Sequence, residues 1–197
     1  MKIKGSIILF LVIVLTIISL QNVYAESGYC GDKIVYNENI KWELNDDGLL
    51  VIEGDGFMKS YFQYSDVPWY FIRDEIKEVR IGKGVKSLSL WSFRDCKNLE
   101  KVTLNEELEI IGGGAFYGCE NLKEINIGKN VIDIGSYAFY GCKNLNTITN
   151  ESPETSIVND NSFETQAETN LKSKGKSTNI DFIRSTQANK YQFISID

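Results

Sequence analysis

A spacing of 23 residues recurs through the middle of the chain and restricts its folding more than any other feature. Phe93, Phe116 and Phe139 stand in one column, Cys96, Cys119 and Cys142 in a second, Asn98, Asn121 and Asn144 in a third, and Leu99, Leu122 and Leu145 in a fourth. The offset continues through Val79, Val102, Ile125 and Ile148, then Ile81, Leu104 and Ile127, then Val85, Leu108 and Val131, then Leu88, Ile111 and Ile134. Eight columns in one register mark a stacked-repeat architecture.

Within one unit, Val102 and Leu104 alternate with Lys101 and Thr103, the period of two expected of a short strand with one buried face. A bend carrying Leu108 and Ile111 is expected next, then Gly112 to Gly114. Ala115, Phe116 and Cys119 follow at a spacing that suits a helical or 3₁₀ turn closing back on the strand. One such unit buries too little apolar surface to offset the entropy of ordering it, so each must lean on its neighbours. The expected fold is a β-solenoid of short parallel strands and 3₁₀ or helical turns, with the repeats over residues 76–150.

The units Ser92-Phe93-Arg94-Asp95-Cys96-Lys97-Asn98-Leu99, Ala115-Phe116-Tyr117-Gly118-Cys119-Glu120-Asn121-Leu122 and Ala138-Phe139-Tyr140-Gly141-Cys142-Lys143-Asn144-Leu145 resemble the BspA-type leucine-rich repeat. Ser92 replaces the alanine of the pattern in the first unit. The stretch upstream is similar to a module that often precedes such repeats in bacterial surface and secreted proteins. Its carriers are Cys30-Gly31, Trp42, Leu44, Asp47-Gly48, Leu50, Ile52, Gly54, Gly56, Met58 and Pro68-Trp69-Tyr70. The resemblance implies a right-handed solenoid with a strand-lined concave face and, for several members, adhesion to host proteins or to other cells.

Residues 1–25 read as a signal peptide. Lys2 and Lys4 precede an apolar run from Ile7 to Leu20, and Val23-Tyr24-Ala25 supplies a small-residue exit. The alternative, an uncleaved anchor, would need roughly 20 apolar residues to span a bilayer. No membrane span is expected after cleavage, and the chain is expected to be secreted or held at the cell surface.

Loss of Lys2 and Lys4 with no acid takes the formal charge from −6 to −8, which argues against nucleic acid as a partner. The chain contains no histidine, so Ser-His-Asp and Cys-His catalysis and histidine-bearing zinc sites are all excluded.

Residues 26–75 read as a β-rich N-terminal cap module. Ile40, Trp42 and Leu44 alternate with Lys41 and Glu43, Asn45 to Gly48 form a turn, and Leu50 and Ile52 resume the alternation, as in a hairpin. Tyr61, Phe62, Tyr64, Trp69 and Tyr70 are expected to cover the first coil, with an aromatic patch for sugar or peptide as the alternative. Residues 151–197 read as a decayed final repeat and a flexible polar tail. Ile157 keeps the 23-residue offset from Ile134, Phe163 misses it by one, and Thr165 to Ser177 has the composition of a linker. Tyr191, Phe193, Ile194 and Ile196 offer one last strand. Asn150-Glu151-Ser152 is a glycosylation sequon.

Four cysteines in a secreted chain raise a disulfide framework, but the equivalence of Cys96, Cys119 and Cys142 favours a ladder of buried thiols. The state of Cys30 is open, and no metal site is expected of a linear ladder. Asp46, Asp47 and Asp55 could serve as glycosidase carboxylates or calcium ligands, yet they sit where turns want aspartate. Gly112-Gly113-Gly114 lacks the lysine of a phosphate loop. The asparagine column is expected to bond backbone groups at each bend.

The outward row of the strands remains as the candidate partner-binding surface: Glu78, Arg80, Lys101, Thr103, Glu124, Asn126, Thr147 and Thr149. The expected function is adhesion or host interaction, through binding of an extracellular protein or glycan, without enzymatic activity and without a cofactor. The alternatives are a carboxylate-dependent secreted glycosidase and a structural fragment of a surface assembly.

Overall fold

The computed structural model describes residues 26–31 and 39–151 in full, and the backbone of 157–158, 169–173 and 191–195. The signal-peptide reading of 1–25, the fate of Phe163 and the pairing of Ile196 lie outside the described residues. Strands β1 (Glu26–Tyr29), β2 (Lys41–Leu44), β3 (Leu49–Glu53) and β4 (Gly56–Phe57) lead into a segment with two 3₁₀ stretches, Tyr64–Asp66 and Tyr70–Glu75. After them the chain alternates between two rows of parallel strands. The first row holds β5 (Glu78–Ile81), β7 (Lys101–Thr103), β9 (Glu124–Ile127), β11 (Thr147–Asn150), β13 (Thr169–Ser173) and β14 (Tyr191–Ser195). The second holds β6 (Val85–Leu88), β8 (Ile110–Ile111), β10 (Asp133–Ile134) and β12 (Ile157–Val158).

The repeat period sets the pairing. Val79 lies opposite Val102, and Thr147 opposite both Glu124 and Asn170, so residues 23 apart become neighbours. β2 and β3 form the expected hairpin, with Leu44 opposite Leu50, and β3 joins β5 in parallel. Asn45 builds the hairpin turn: its Oδ1 accepts the N–H groups of Asp47 and Leu49 at 3.1 and 2.9 Å.

Four expectations need correction. The bend carrying Leu108 and Ile111 contains a second strand, because Ile110 and Ile111 pair with Ser87 and Leu88 on one side and with Asp133 and Ile134 on the other. The stretch expected as a linker contains β13, in register with β11. Val158, 24 residues on, takes the place opposite Ile134 that a strict period would give Ile157. The asparagine column is not uniform either. Asn98 donates to the Asp74 carbonyl at 2.7 Å as expected, whereas Asn144 donates to the Asn121 side chain at 3.4 Å.

Between the second strand of one coil and the first of the next, backbone groups divide their partners. The N–H groups of Trp91, Phe93 and Asp95 reach carbonyls of the following coil at Gly113, Ala115 and Tyr117, while those of Ser92, Arg94 and Cys96 reach back three residues in 3₁₀ fashion. This satisfies a turn that would otherwise bury orphaned polar groups.

The core is a set of in-line columns. Phe93, Phe116 and Phe139 are fully buried and stack face to face, with centroids 5.2 and 5.3 Å apart. Trp69, 24 residues before Phe93, extends this line at 5.6 Å, and Trp42 meets Trp69 edge-on at 5.7 Å. The Trp69 indole N–H donates to the Ser92 carbonyl at 2.6 Å, which lets a polar ring sit in the core.

All four cysteines are free thiols and buried. Cys119 and Cys142 donate to the carbonyls of Phe93 and Phe116, each at 3.1 Å. Burial pushes the Cys30 and Cys142 thiols up to about 12, and those of Cys96 and Cys119 move in the same direction for the same reason.

Outside the core, ion pairs join adjacent coils. Lys101 meets Glu78 at 3.1 Å, Lys123 meets Glu100 at 3.5 Å, Lys129 meets Glu106 at 3.8 Å and Lys143 meets Glu120 at 2.9 Å. The hydrogen bond from Lys143 holds the Glu120 carboxyl below its usual range. No helix among the described residues is long and apolar enough to cross a membrane.

Candidate functional site

Strand alternation places the eight outward residues. Val79, Ile81, Ile125, Ile127 and Ile148 turn inward and are buried, so their neighbours along each strand face solvent. Arg80, Lys101, Thr103, Glu124 and Asn126 are exposed, and Glu78, Thr147 and Thr149 are half-buried. Lys101, Thr103, Glu124, Asn126, Thr147 and Thr149 come together along a groove of about 550 Å³. Glu78 and Arg80 lie outside this groove, on the adjoining strand.

The groove has a structural cause. β1, β2, β3, β5 and β7 form one hydrogen-bonded sheet, and β9, β11, β13 and β14 form another. β7 and β9 lie side by side without a ladder between them. Val102 and Leu104 are consequently only partly buried against the core, unlike Val79, Ile81, Ile125 and Ile127, and they line the groove. Sequence periodicity missed these two, since they read like their buried equivalents. Asn105 borders them and is fixed by donating to the carbonyls of Gly82 and Val85 at 2.7 and 2.9 Å.

The charge on this face is partly spent within the chain. Lys101 is paired with Glu78, and Asn126 donates to Glu151 at 3.1 Å. Arg80 and Glu124 form no ion pair among the described residues, so each presents a charge to solvent. The face continues into the N-terminal strands: Val51 lies opposite Arg80, and Lys41 reaches over the ring of Tyr29. Such a surface offers hydrogen bonds, two opposite charges and an apolar floor, which is the equipment of recognition.

The remaining candidates fall elsewhere. Asp46 and Asp47 sit in the β2–β3 turn and Asp55 in the bend before β4. No group of three or more potential metal-ligating side chains occurs among the described residues. The five aromatics of the 61–70 stretch are divided. Tyr61 and Trp69 are core residues, while Phe62 is 92 % exposed and Tyr64 and Tyr70 hold the guanidinium groups of Arg94 and Arg73. Asn150 of the sequon is buried at the end of β11.

Parallel strands repeated every 23 residues, short 3₁₀-type turns and a shared core of Phe, Cys and Leu columns define a leucine-rich-repeat protein. The chain belongs to the BspA type leucine rich repeat region family, whose model matches residues 69–190 in six copies. That match starts at Trp69, the residue that extends the phenylalanine stack. The chain is similar to a leucine-rich repeat protein of known structure from Eubacterium ventriosum ATCC 27560, with 28 % identity over 78 % of this chain and 45 % of that one, at a TM-score of 0.56. A leucine-rich repeat protein from Bacteroides ovatus ATCC 8483 shares the fold at 23 % identity, over 63 % of this chain and 31 % of that one, with a TM-score of 0.52. The chain therefore spans less than half the length of either structure. No curated protein matches it significantly in sequence.

Proposed function

We propose that this is a secreted or cell-surface protein that uses the outward face of its first strand row to bind an extracellular protein or glycan, in adhesion or host interaction. The observation that carries the reading is the groove over β7, β9 and β11, where polar side chains from three successive strands surround the half-covered Val102 and Leu104. Membership of a repeat family supports a role in protein interaction, because stacked repeats offer extended faces rather than enclosed clefts. The N-terminal sequence pattern supports export with cleavage after Ala25. In this reading residues 76–150 wind as a solenoid, residues 26–75 close its first coil, with Trp42 and Trp69 laid on the exposed end of the phenylalanine stack, and residues 151–197 end the array.

The test exchanges the charges of the groove. Lys101→Glu combined with Glu124→Lys keeps net charge and leaves the core untouched, and the exposed Lys101–Glu78 pair it breaks is worth at most about 1 kcal/mol. Attachment of the purified chain to immobilised extracellular matrix proteins and glycans is measured by interferometry, beside the melting temperature. The expected result is lost attachment with little change in melting. Attachment equal to that of the unaltered chain defeats the reading, as does hydrolysis of a polysaccharide that disappears in Asp46→Asn or Asp55→Asn.

A further inference from the structure

The second strand row carries a groove of its own, about 660 Å³ in volume. Three glycines line it: Gly112 and Gly113 follow β8, and Gly135 follows β10. Two aromatic side chains stand at it, Trp91 and Tyr137, the first half-buried and the second 41 % exposed. They occupy equivalent places two coils apart, so about 10 Å separates them at the spacing of neighbouring strands.

Both residues are held in the left-handed backbone region, each with φ 60°. A non-glycine residue there costs about 1–2 kcal/mol. The coil between them shows what the backbone alone would choose, since Gly114 fills the same place with the same φ. A Cβ on Gly114 would overlap the Trp91 ring, which leans across that coil. Two large rings are thus kept where glycine is easier, and both line one groove. Strain retained at such positions is a pointer to use.

The polar groups around the rings narrow the ligand. Ser87 and Ser89 accept the backbone N–H groups of Met58 and Tyr61 at 3.1 and 3.3 Å, which leaves each hydroxyl proton to donate. Asp133 adds a carboxylate, and burial raises its pKa. The Arg94 guanidinium lies 5.0 Å from the centroid of the Trp91 ring and the Lys86 ammonium 5.9 Å from that of Phe57, but the one charged side chain among the described residues lining the groove is the Asp133 carboxylate, which disfavours an anion. Flat apolar rings beside hydroxyl and carboxylate groups match a sugar, which presents C–H groups on its face and hydroxyls on its edge. We infer that this groove binds a neutral oligosaccharide of at least two pyranose units, with Trp91 and Tyr137 as its stacking platforms. The site is separate from the sheet face proposed above and does not depend on that reading.

Neutral cello-, malto-, manno- and chito-oligosaccharides, with oligogalacturonate as the anionic control, are titrated into the purified chain. Tryptophan emission and saturation-transfer NMR report binding. Trp42 and Trp69 are buried, so a change in emission reports Trp91. At least one neutral oligosaccharide is expected to bind, and Trp91→Gly and Tyr137→Gly are each expected to weaken it on the order of tenfold. Because glycine suits the backbone at 137, Tyr137→Gly should melt close to the unaltered chain, which separates lost binding from lost folding. Asp133→Asn should weaken binding too, whereas Lys101→Glu with Glu124→Lys should leave it unchanged. The inference is overturned if no neutral oligosaccharide binds, if oligogalacturonate binds better, if neutral peptides bind in their place, or if both glycine variants bind as the unaltered chain does.

Discussion

Replacing Phe116 by alanine tests the column packing at its centre. The ring is fully buried and lies between Phe93 at 5.2 Å and Phe139 at 5.3 Å, so the substitution removes two stacked contacts and leaves a void in the middle of the stack. Buried Phe→Ala changes cost about 3–5 kcal/mol. Aromatic pairs are worth about 0.5–1.5 kcal/mol each beyond their area, which places Phe116→Ala toward the upper end of that range. A domain of this size has only about 5–15 kcal/mol in total. Urea unfolding followed by the emission of buried Trp42 and Trp69 measures the loss, as a lower midpoint at unchanged slope. A double-mutant cycle adds the geometry. Phe93 and Phe116 touch and should couple by at least about 0.5 kcal/mol, whereas Phe93 and Phe139 are separated by Phe116 and should be additive within about that amount. A loss under about 1 kcal/mol for Phe116→Ala, or equal coupling in the two cycles, would refute the stacked arrangement.

Three further outcomes follow from the structure. The four buried thiols should resist a thiol-specific disulfide reagent at mildly alkaline pH and react together once urea unfolds the chain; reaction of any one of them in the native state contradicts its burial. Folded thiols are pushed up to about 12 at Cys30 and Cys142, against about 9 in the unfolded chain. The folded state therefore holds protons that the unfolded one releases, and stability should be full below pH 9 and fall as pH rises toward 12. A stability that rises across that window, measured by urea midpoint, would contradict the sign. Gly114→Ala should cost about 1–2 kcal/mol from its left-handed backbone alone, and more from the overlap with Trp91; a thermal melt equal to the unaltered chain would remove the basis for the Trp91 placement.

The repeat columns were legible because a buried position admits few side chains, and Phe, Cys and Leu return at a fixed interval. What periodicity could not reveal was anything set between coils. Ile110 and Ile111 are too few to show alternation, and they become a strand only through neighbours on both sides. Trp69 escaped the phenylalanine column because it is a different ring, offset by 24 instead of 23. β13 was hidden by polar Asn170 and Lys172, although Leu171 sits 23 residues after Ile148 and pairs with it. The outward row followed directly from alternation. The separation of β7 from β9, which makes a groove of part of that row, leaves no mark on the sequence. A glycine between Trp91 and Tyr137 was a usable hint of a left-handed position, since only one residue type there is free of its penalty.

The ion pairs between coils bear on how such a chain finds its own order. Hydrophobic columns that repeat faithfully cannot distinguish one coil from the next, so a coil could dock on the wrong neighbour with its phenylalanine, cysteine and leucine all satisfied. Charge breaks the tie. If the coil that begins near Lys77 skipped its successor and met the one beyond, Lys77 would face Lys123, Glu78 would face Glu124, Lys83 would face Lys129 and Lys97 would face Lys143. Like charges set opposite one another repel. Individually weak surface contacts thus act as a parity check on the stacking sequence, penalising the omission of the coil that lies between the one begun near Lys77 and the one begun near Lys123.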